Sequence, residues 1–419
     1  MKFGGTSVAD AERITRAAER IVESAKAGNH VVAVLSARGR HTDELVALAH
    51  EVSKRPHPRE MDMLLSTGER VTCALAAMVI NDLGFEAISL TGSQAGIVTD
   101  SGHTKARIIE VKADRIRHAL GDGKVVLVAG FQGVSQRSLD VTTLGRGGSD
   151  TTAVALAAAL GAEVCEIFTD VAGVFSADPR IVPDARKLSV LTFEEMLEMS
   201  ASGAGVLQLR SVEYARNHGV TIHCRSSFEE GPGTVIQDED VTMERPLVTA
   251  VTHSTSEARI TLLGLPDRPG IAGTLLAALA DANVNVDMII QNEPASEGRK
   301  ADMSFTVPRD DLLAAQEALE TIEGLDFESF QTDERMGKVS VVGAGMKSHP
   351  GVAAKAFKAL GDAQVNIEMI STSPIKISCV VREEDVATAV RELHTAFELG
   401  ADSVLPEDVA GDHRPKVSS

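Results

Sequence analysis

The sequence predicts a layered α/β fold with a largely parallel sheet, followed by two smaller α+β units. Three observations predict it. Residues 1–236 alternate short apolar runs with helical segments, residues 229–246 break that alternation, and an internal repeat follows the break. The expected domains are 1–240, a linker and lead-in strand at 241–257, repeat units at 258–333 and 334–407, and a loose tail at 408–419.

Taken in order, Ser7 to Asp10 reads as a capping box. Ile14, Ala17, Ala18, Ile21, Val22 and Ala25 then recur at helical spacing up to Gly28. Val31 to Ser36 is a continuous apolar run, the mark of a strand covered on both faces. Val71 to Leu83 reads as an apolar helix, Ala87 to Leu90 and Val125 to Ala129 as strands. An Ala-rich helix is expected over Thr151 to Leu160, a strand over Val164 to Thr169, a helix over Arg210 to Asn217 and a strand over Val220 to Arg225. Gly231-Pro232-Gly233 and the acidic run Asp238-Glu239-Asp240 mark the hinge. Beyond it, Ile260 to Gly264 corresponds to Val339 to Gly343, an offset of 79. Pro269-Gly270 corresponds to Pro350-Gly351, and Asn285 to Ile289 corresponds to Asn366 to Ile370, both offset by 81. Two βαββαβ units are the simplest reading.

Composition narrows the function. Aromatics are 3% of the 419 residues, so few rings are available for base stacking. The formal net charge of −19 argues against a nucleic-acid or anionic-membrane surface. A polyanionic ligand would need a local cluster of cations and backbone N–H groups. Cys73, Cys165, Cys224 and Cys379 have no metal-ligand spacing, so neither a zinc site nor any other metal site is expected, and buried free thiols fit a reducing cytoplasm. No run of about 18 uninterrupted apolar residues occurs, so no membrane span is expected, and Met1 to Val8 lacks the apolar core of a signal peptide.

Two loops carry most of the chemistry. Lys2-Phe3-Gly4-Gly5-Thr6-Ser7 sets a lysine before two glycines and a helix start, which lets backbone approach a phosphate while the lysine adds charge. It is not a Walker motif, because the lysine precedes the glycines. Thr143-Leu144-Gly145-Arg146-Gly147-Gly148-Ser149-Asp150 surrounds an arginine with glycines and opens a helix with Ser149 and Asp150. Glu69 heads another helix, where from sequence alone a helix-dipole role accounts for it better than a ligand does. Thr169 to Arg180 follows a buried strand, the position where open α/β sheets bind ligands. The twelve histidines form no catalytic pattern.

Together these loops, with Thr67-Gly68-Glu69-Arg70 and with Asp267-Arg268-Pro269-Gly270-Ile271-Ala272 and Asn366-Ile367 in the repeats, resemble the aspartate kinases, over roughly residues 1–400. The resemblance implies an amino-acid-kinase fold with two ACT-like units, making 4-phospho-L-aspartate from L-aspartate and ATP with Mg2+. It implies catalytic roles for Lys2, Arg146 and Asp150, and substrate contacts from Thr6, Ser36, Thr42, Glu69, Arg146 and Ser149. Nucleotide contacts are implied for Lys2, Gly4, Gly5, Ser7, Thr169, Asp170, Phe175, Asp178 and Arg180. An amino-acid effector, lysine or threonine, is implied at Asp267, Gly270, Ile271, Ala272, Gln291, Asn292, Asn366, Ile367, Ser371 and Thr372, with the ACT-like units pairing in a homo-oligomer. The residue pairs Gln291-Asn292 and Ser371-Thr372 are read as following the second strand of each unit.

Three positions depart from the pattern. Gly205 stands where the family usually has a lysine expected to meet nucleotide phosphate, which keeps open a non-catalytic regulatory subunit. Arg38, Arg40 and His41 add charge beside the expected substrate pocket, which keeps open a related acidic substrate. Pro374 replaces a usual acid in the effector region.

Overall fold

The computed structural model describes residues 1–238, 247–292, 300–322 and 325–400. Glu239, Asp240, the first part of the linker and the expected tail lie outside the described residues. The chain folds into two compact units. The first holds Met1–Val174, Lys187–Ser200 and the chain from Gly205; the second holds Phe175–Arg186, Ala201–Ala204 and the C-terminal part.

The first unit contains β1 (Lys2–Phe3), α1 (Ala11–Lys26), β2 (Val32–Leu35), α2 (His41–Val52), α3 (Pro58–Leu65), α4 (Thr67–Asp82), β3 (Ala87–Leu90), β4 (Ile97–Thr99), β5 (Ile108–Val111) and α5 (Asp114–Gly121). These are followed by β6 (Val125–Ala129), β7 (Gln132–Ser135), β8 (Val141–Thr143), α6 (Gly148–Leu160), β9 (Cys165–Thr169), β10 (Val190–Thr192), α7 (Phe193–Ala201), α8 (Leu209–His218), β11 (Ile222–Ser226) and β12 (Thr234–Gln237). An eight-stranded sheet runs β10-β12-β11-β9-β1-β2-β6-β3, parallel except where β11 meets β12. A four-stranded sheet, β5-β4-β7-β8, sits beside it. All five residues of β6 are buried, as expected for a strand covered on both faces.

Local signals are corrected at the helix starts. Asp10, not Ser7, caps α1: its side chain accepts from the Arg13 N–H, while Gly5–Val8 forms a 3₁₀ turn. α4 begins at Thr67 and α6 at Gly148, each several residues ahead of its apolar run, because the first turn of each helix is made of polar and glycine residues that the apolar period does not mark. By length and composition the stretch Pro58–Asp82 is apolar enough to cross a membrane, although no uninterrupted run in it is that long. It is half buried within the protein and carries the buried carboxylates Asp62 and Glu69, which marks a core helix.

The second unit holds β13 (Ala250–Pro266), α9 (Ile271–Asp281), β14 (Ile289–Gln291), β15 (Lys300–Pro308) and α10 (Leu312–Thr321). It continues with β16 (Ser329–Val342), α11 (Val352–Asp362), β17 (Met369–Ser373), β18 (Lys376–Arg382) and α12 (Val386–Ala396). One antiparallel sheet, β14-β15-β13-β16-β18-β17, joins both repeats. The repeat is visible in the backbone: Gly270 and Gly351 cap α9 and α11 at φ 95° and 101°. The final strand of each repeat is shared. Ser329 to Asp333 of β16 pairs with β13, and Ala250 to Ser254, read from sequence as a lead-in, pairs with Val342 to Lys338. Phe175–Arg186 packs into the second repeat's core through Ala177, Val182 and Ala185, alongside Val251, Val339 and Leu393.

Candidate functional site

Parallel strands aim their C-terminal ends the same way, so the loops after β1, β2, β6 and β9 gather at the middle of the large sheet. The loop after β1 is Gly4-Gly5, that after β2 is Ser36-Ala37, and β9 ends at Thr169. Backbone bonds knit them: Gly4 N donates to Phe168 O at 3.3 Å, Ser36 N to Phe3 O at 3.1 Å, and Gly39 N to Gly5 O at 2.9 Å. Only glycine fits at position 5, where a Cβ would sit 2.9 Å from the Ala37 carbonyl oxygen.

Lys2 and Asp150 meet here. Lys2 Nζ lies 2.5 Å from Asp150 Oδ1, with 11% and 9% of the side chains exposed. β1 presents the lysine and the first turn of α6 presents the aspartate. The left-handed Gly147, at φ 72°, turns the chain into that helix, and Gly148, Ser149 and Asp150 are all buried. Arg146, one residue earlier, is exposed and makes no ion pair or hydrogen bond among the described residues. Ser7 Oγ accepts from Ser227 Oγ at 2.6 Å, and Thr169 Oγ1 donates to Asp170 at 3.1 Å.

Glu69 is 3% exposed in the first turn of α4. One carboxylate oxygen accepts from the Ala37 N–H at 3.1 Å, and the other is buried without a partner. Burial pushes its pKa up to about 7, against the weaker pull of backbone donors and Arg70. A first-turn acid that serves only the helix dipole is ordinarily solvated, whereas this carboxylate is buried with one oxygen unpartnered among the described residues.

Some expected residues are not part of this cluster. Phe175, Asp178 and Arg180 belong to the second unit: Phe175 packs against its core, and Arg180 pairs with Asp178 at 2.7 Å, which holds Asp178 below the usual carboxylate range. Of the added charges, Arg40 and His41 face Asp43 and Glu44 of their own helix at 3.6 and 3.2 Å. Arg38 is exposed and has no ion pair among the described residues. Thr42 is half-buried in the same helix. A Cβ at Gly205 would meet nothing within 4 Å.

The effector candidates lie partly in the two edge strands of the second unit's sheet and partly at the start of α9 and in the loop before β17. Gln291 lies in β14, and Ser371 and Thr372 lie within β17 rather than after it, because the strand extends through the polar run. Gln291, Asn292, Ser371, Thr372 and Asn366 are exposed, as are Asp267 and Gly270. Ile271 is buried at the start of α9, while Ala272 and Ile367 pack partly buried against the two cores. Beside them the repeats exchange charges. Arg259 of β13 pairs with Glu368 at 2.9 Å, and its counterpart Lys338 of β16 pairs with Asp287, the counterpart of Glu368, at 2.5 Å. Lys338 is 3% exposed; burial pushes its pKa down, but Glu257 and Asp287 outweigh that and raise it. Glu368 also accepts from Asn366 at 3.1 Å. Sequence reading missed this exchange, whose only signal was the aligned charges in the repeat.

Comparison with known proteins agrees with this architecture. Residues 1–226 match the amino acid kinase family, and residues 259–324 and 339–397 each match an ACT domain. The chain is 56% identical to an aspartokinase of Mycolicibacterium smegmatis and 57% identical to one of Mycobacterium tuberculosis, each over 404 residues and 96% of both chains. It resembles the crystal structure of Escherichia coli aspartokinase III in complex with aspartate and ADP, with a TM-score of 0.81 and 26% identity, covering 94% of this chain and 98% of that one. The lysine- and aspartate-bound form of that enzyme matches with a TM-score of 0.72 and 26% identity over 94% and 98% of the two chains. Identity of this degree across both units, rather than in the kinase loops alone, places the chain in the aspartokinase family.

Proposed function

We propose that this protein transfers the γ-phosphoryl group of ATP to the side-chain carboxylate of L-aspartate, giving 4-phospho-L-aspartate, the entry to lysine, threonine and methionine synthesis. The observation that carries the reading is the half-satisfied, buried Glu69 carboxylate in the same loop cluster as the Lys2–Asp150 pair. A carboxylate oxygen of aspartate attacks the γ-phosphorus as ADP leaves, so the protein has mainly to position both reactants and neutralise charge. Lys2 faces the phosphates, held in place by Asp150. Arg146 takes a substrate carboxylate, Glu69 takes the α-ammonium, and Ser149, Ser36, Thr6 and Thr42 complete the polar wall. Gly4, Gly5, Ser7, Thr169 and Asp170 supply the nucleotide side; Asp178, Arg180 and Phe175 are given no nucleotide role, because they belong to the second unit, where Arg180 pairs with Asp178 and Phe175 packs against the core. The nucleotide is expected to act as its Mg2+ complex, with Asp150 and Asp170 as the carboxylates of this loop cluster that would hold the ion. Bound there, Mg2+ offsets charge on the transferring group. The four free, buried cysteines support a cytoplasmic setting. Hydroxamate trapping with ATP and a panel of acidic amino acids tests the reaction: product with aspartate alone supports it, and no product with any acid overturns it.

Glu69 gives a pH dependence. Its carboxylate form binds the ammonium, so kcat/KM for aspartate is expected to fall as pH drops through about 7. The stability effect has the opposite direction. The folded-state pKa is raised, so Glu69 disfavours folding progressively from the ordinary range near 4.5 up to about 7, and not below it. Glu69→Gln is therefore expected to be more stable than wild type at pH 8 by on the order of 2–3 kcal/mol, and equal to it near pH 4, while losing aspartate affinity. Urea melts at the two pH values check this.

Gly205→Lys is expected to lower the KM for ATP, since a cation near a polyphosphate contributes of order 1 kcal/mol in partly solvated surroundings. An unchanged or higher KM would show that Arg38 or another cation already serves.

Regulation follows from the edge strands. β14 and β17 lie at opposite edges of one sheet, and among the described residues neither pairs with a strand on its outer side, which suits pairing with a second copy of the chain. A homodimer joined through the ACT units brings such edges together, with lysine or threonine bound nearby. Pro374, exposed in the turn between β17 and β18, removes an N–H and the usual acid, which weakens a cationic effector most. Threonine is expected to inhibit the full-length enzyme more strongly than lysine, singly and in combination. Strong lysine inhibition at low millimolar concentration would remove Pro374 from the account.

A further inference from the structure

Asp62 of α3 is fully buried, with no exposed surface, in a helix whose other polar residues face outward. A buried carboxylate persists only where donors surround it. Asp62 has three, from two separate segments. Thr143 Oγ1 at the end of β8 donates to Oδ1 at 2.5 Å, the Thr104 N–H reaches both oxygens at 3.0 and 3.2 Å, and His103 Nδ1 lies 2.6 Å from Oδ2. A carboxylate only accepts, so the His103 ring nitrogen is the donor. Arg59, one helical turn before Asp62, bonds Asp140 at 2.9 Å just ahead of β8. α3 thus grips β8 at both ends.

β8 runs straight into the loop that carries Arg146. Leu144, the first residue after β8, is 1% exposed; its N–H donates to Phe131 O at 2.8 Å and its carbonyl accepts from Arg210 Nη1 at 2.9 Å. Arg210 Nη2 bonds the Ala106 carbonyl at 2.8 Å, tying the same loop to the segment that holds Thr104. Leu144 is thus anchored through both its N–H and its carbonyl, while Arg146 itself is exposed and unpaired among the described residues.

The backbone on both flanks is strained. Thr104 has φ 66° and Phe131 φ 68°, left-handed conformations that a β-branched or bulky residue avoids. Thr104 is the residue whose N–H is drawn onto Asp62, and its carbonyl oxygen lies 3.1 Å from where a Cβ on Gly145 would stand. Strain of this kind survives only where surrounding bonds over-determine it, and it gathers at functional sites. Asp62 supplies those bonds for Thr104.

We infer that Asp62, with His103 and Thr143, is a positioning residue that sets the place of Arg146 against the substrate carboxylate. The inference rests on the reading of Arg146 as the carboxylate ligand. Asp62 touches no substrate; it acts through β8 and the strained Thr104. A displacement of about 1 Å in a binding group is enough for a hundredfold effect.

The test uses full-length enzyme carrying Asp62→Asn, Thr143→Val and Arg146→Ala, singly and combined. Asp62→Asn is expected to raise the aspartate KM at least tenfold while the ATP KM stays within twofold, and Thr143→Val to move it the same way by less. The Asp62→Asn effect on kcat/KM is expected to shrink to under threefold in the Arg146→Ala background, because a positioner has nothing left to position. Equal rises in both KM values, or an undiminished effect without Arg146, would overturn the proposal and leave Asp62 as a scaffold residue. Should Asp62→Asn fail to fold, Thr143→Val keeps the carboxylate and two donors and is judged by the same two criteria. An Arg146→Ala variant with unchanged aspartate kinetics would defeat the reading of Arg146 itself. An impaired Arg146→Ala beside silent Asp62→Asn and Thr143→Val would defeat only the positioning.

Discussion

Lys2→Met is expected to lower kcat with aspartate by about 10²–10³-fold, the loss that follows removal of one preorganised charge from a transition state. The same substitution is expected to destabilise the fold. Lys2 and Asp150 are both nearly buried, and deleting one partner leaves the other charge uncompensated, at a cost of about 3–5 kcal/mol. The two effects separate in the double variant Lys2→Met with Asp150→Leu. Removing both charges should recover most of the stability and none of the turnover. Denaturant melts and hydroxamate assays on the three proteins check this. A double variant that regains activity would show the pair to be structural only.

Arg146→Ala is expected to cost at least about a hundredfold in turnover, because a bidentate, charge-assisted contact to the substrate is lost. Its stability signature is the opposite of that of Lys2. Arg146 is exposed and has no partner among the described residues, so the melting midpoint is expected to stay within error of wild type. Arg146→Lys should rescue little, since an ammonium lacks the planar fork. Steady-state kinetics in aspartate, with ATP saturating, give the answer. Near-wild-type turnover in Arg146→Ala would take this residue out of the site.

The two residues also show how legible the site was. Arg146 stood out in the sequence because glycines surround it, while Lys2, two residues ahead of a glycine pair, was a weaker signal that a plain strand-to-helix turn would also give. Glu69 was ambiguous, because a first-turn acid suits any helix; only burial beneath the Ala37 loop, with one oxygen unpartnered, separates it from that ordinary role. Asp62 carried no signal at all. A lone aspartate in a mixed helix looks solvated, and its donors Thr104 and Thr143 lie far along the chain.

By itself, the sequence determined the alternation of strands and helices, the repeat with its paired Gly270 and Gly351, and the glycine loops. These are set by side-chain period and by φ preferences that act over a few residues. Only the tertiary structure decided which charges meet and which chain segments belong together. The Lys2–Asp150 pair, the Asp62 hub, the crossed Arg259–Glu368 and Lys338–Asp287 bridges and the packing of Phe175–Arg186 into the second unit depend on strand order and burial. Electrostatic energy depends on distance and on exclusion of water, and neither exists along the chain until the sheets have formed.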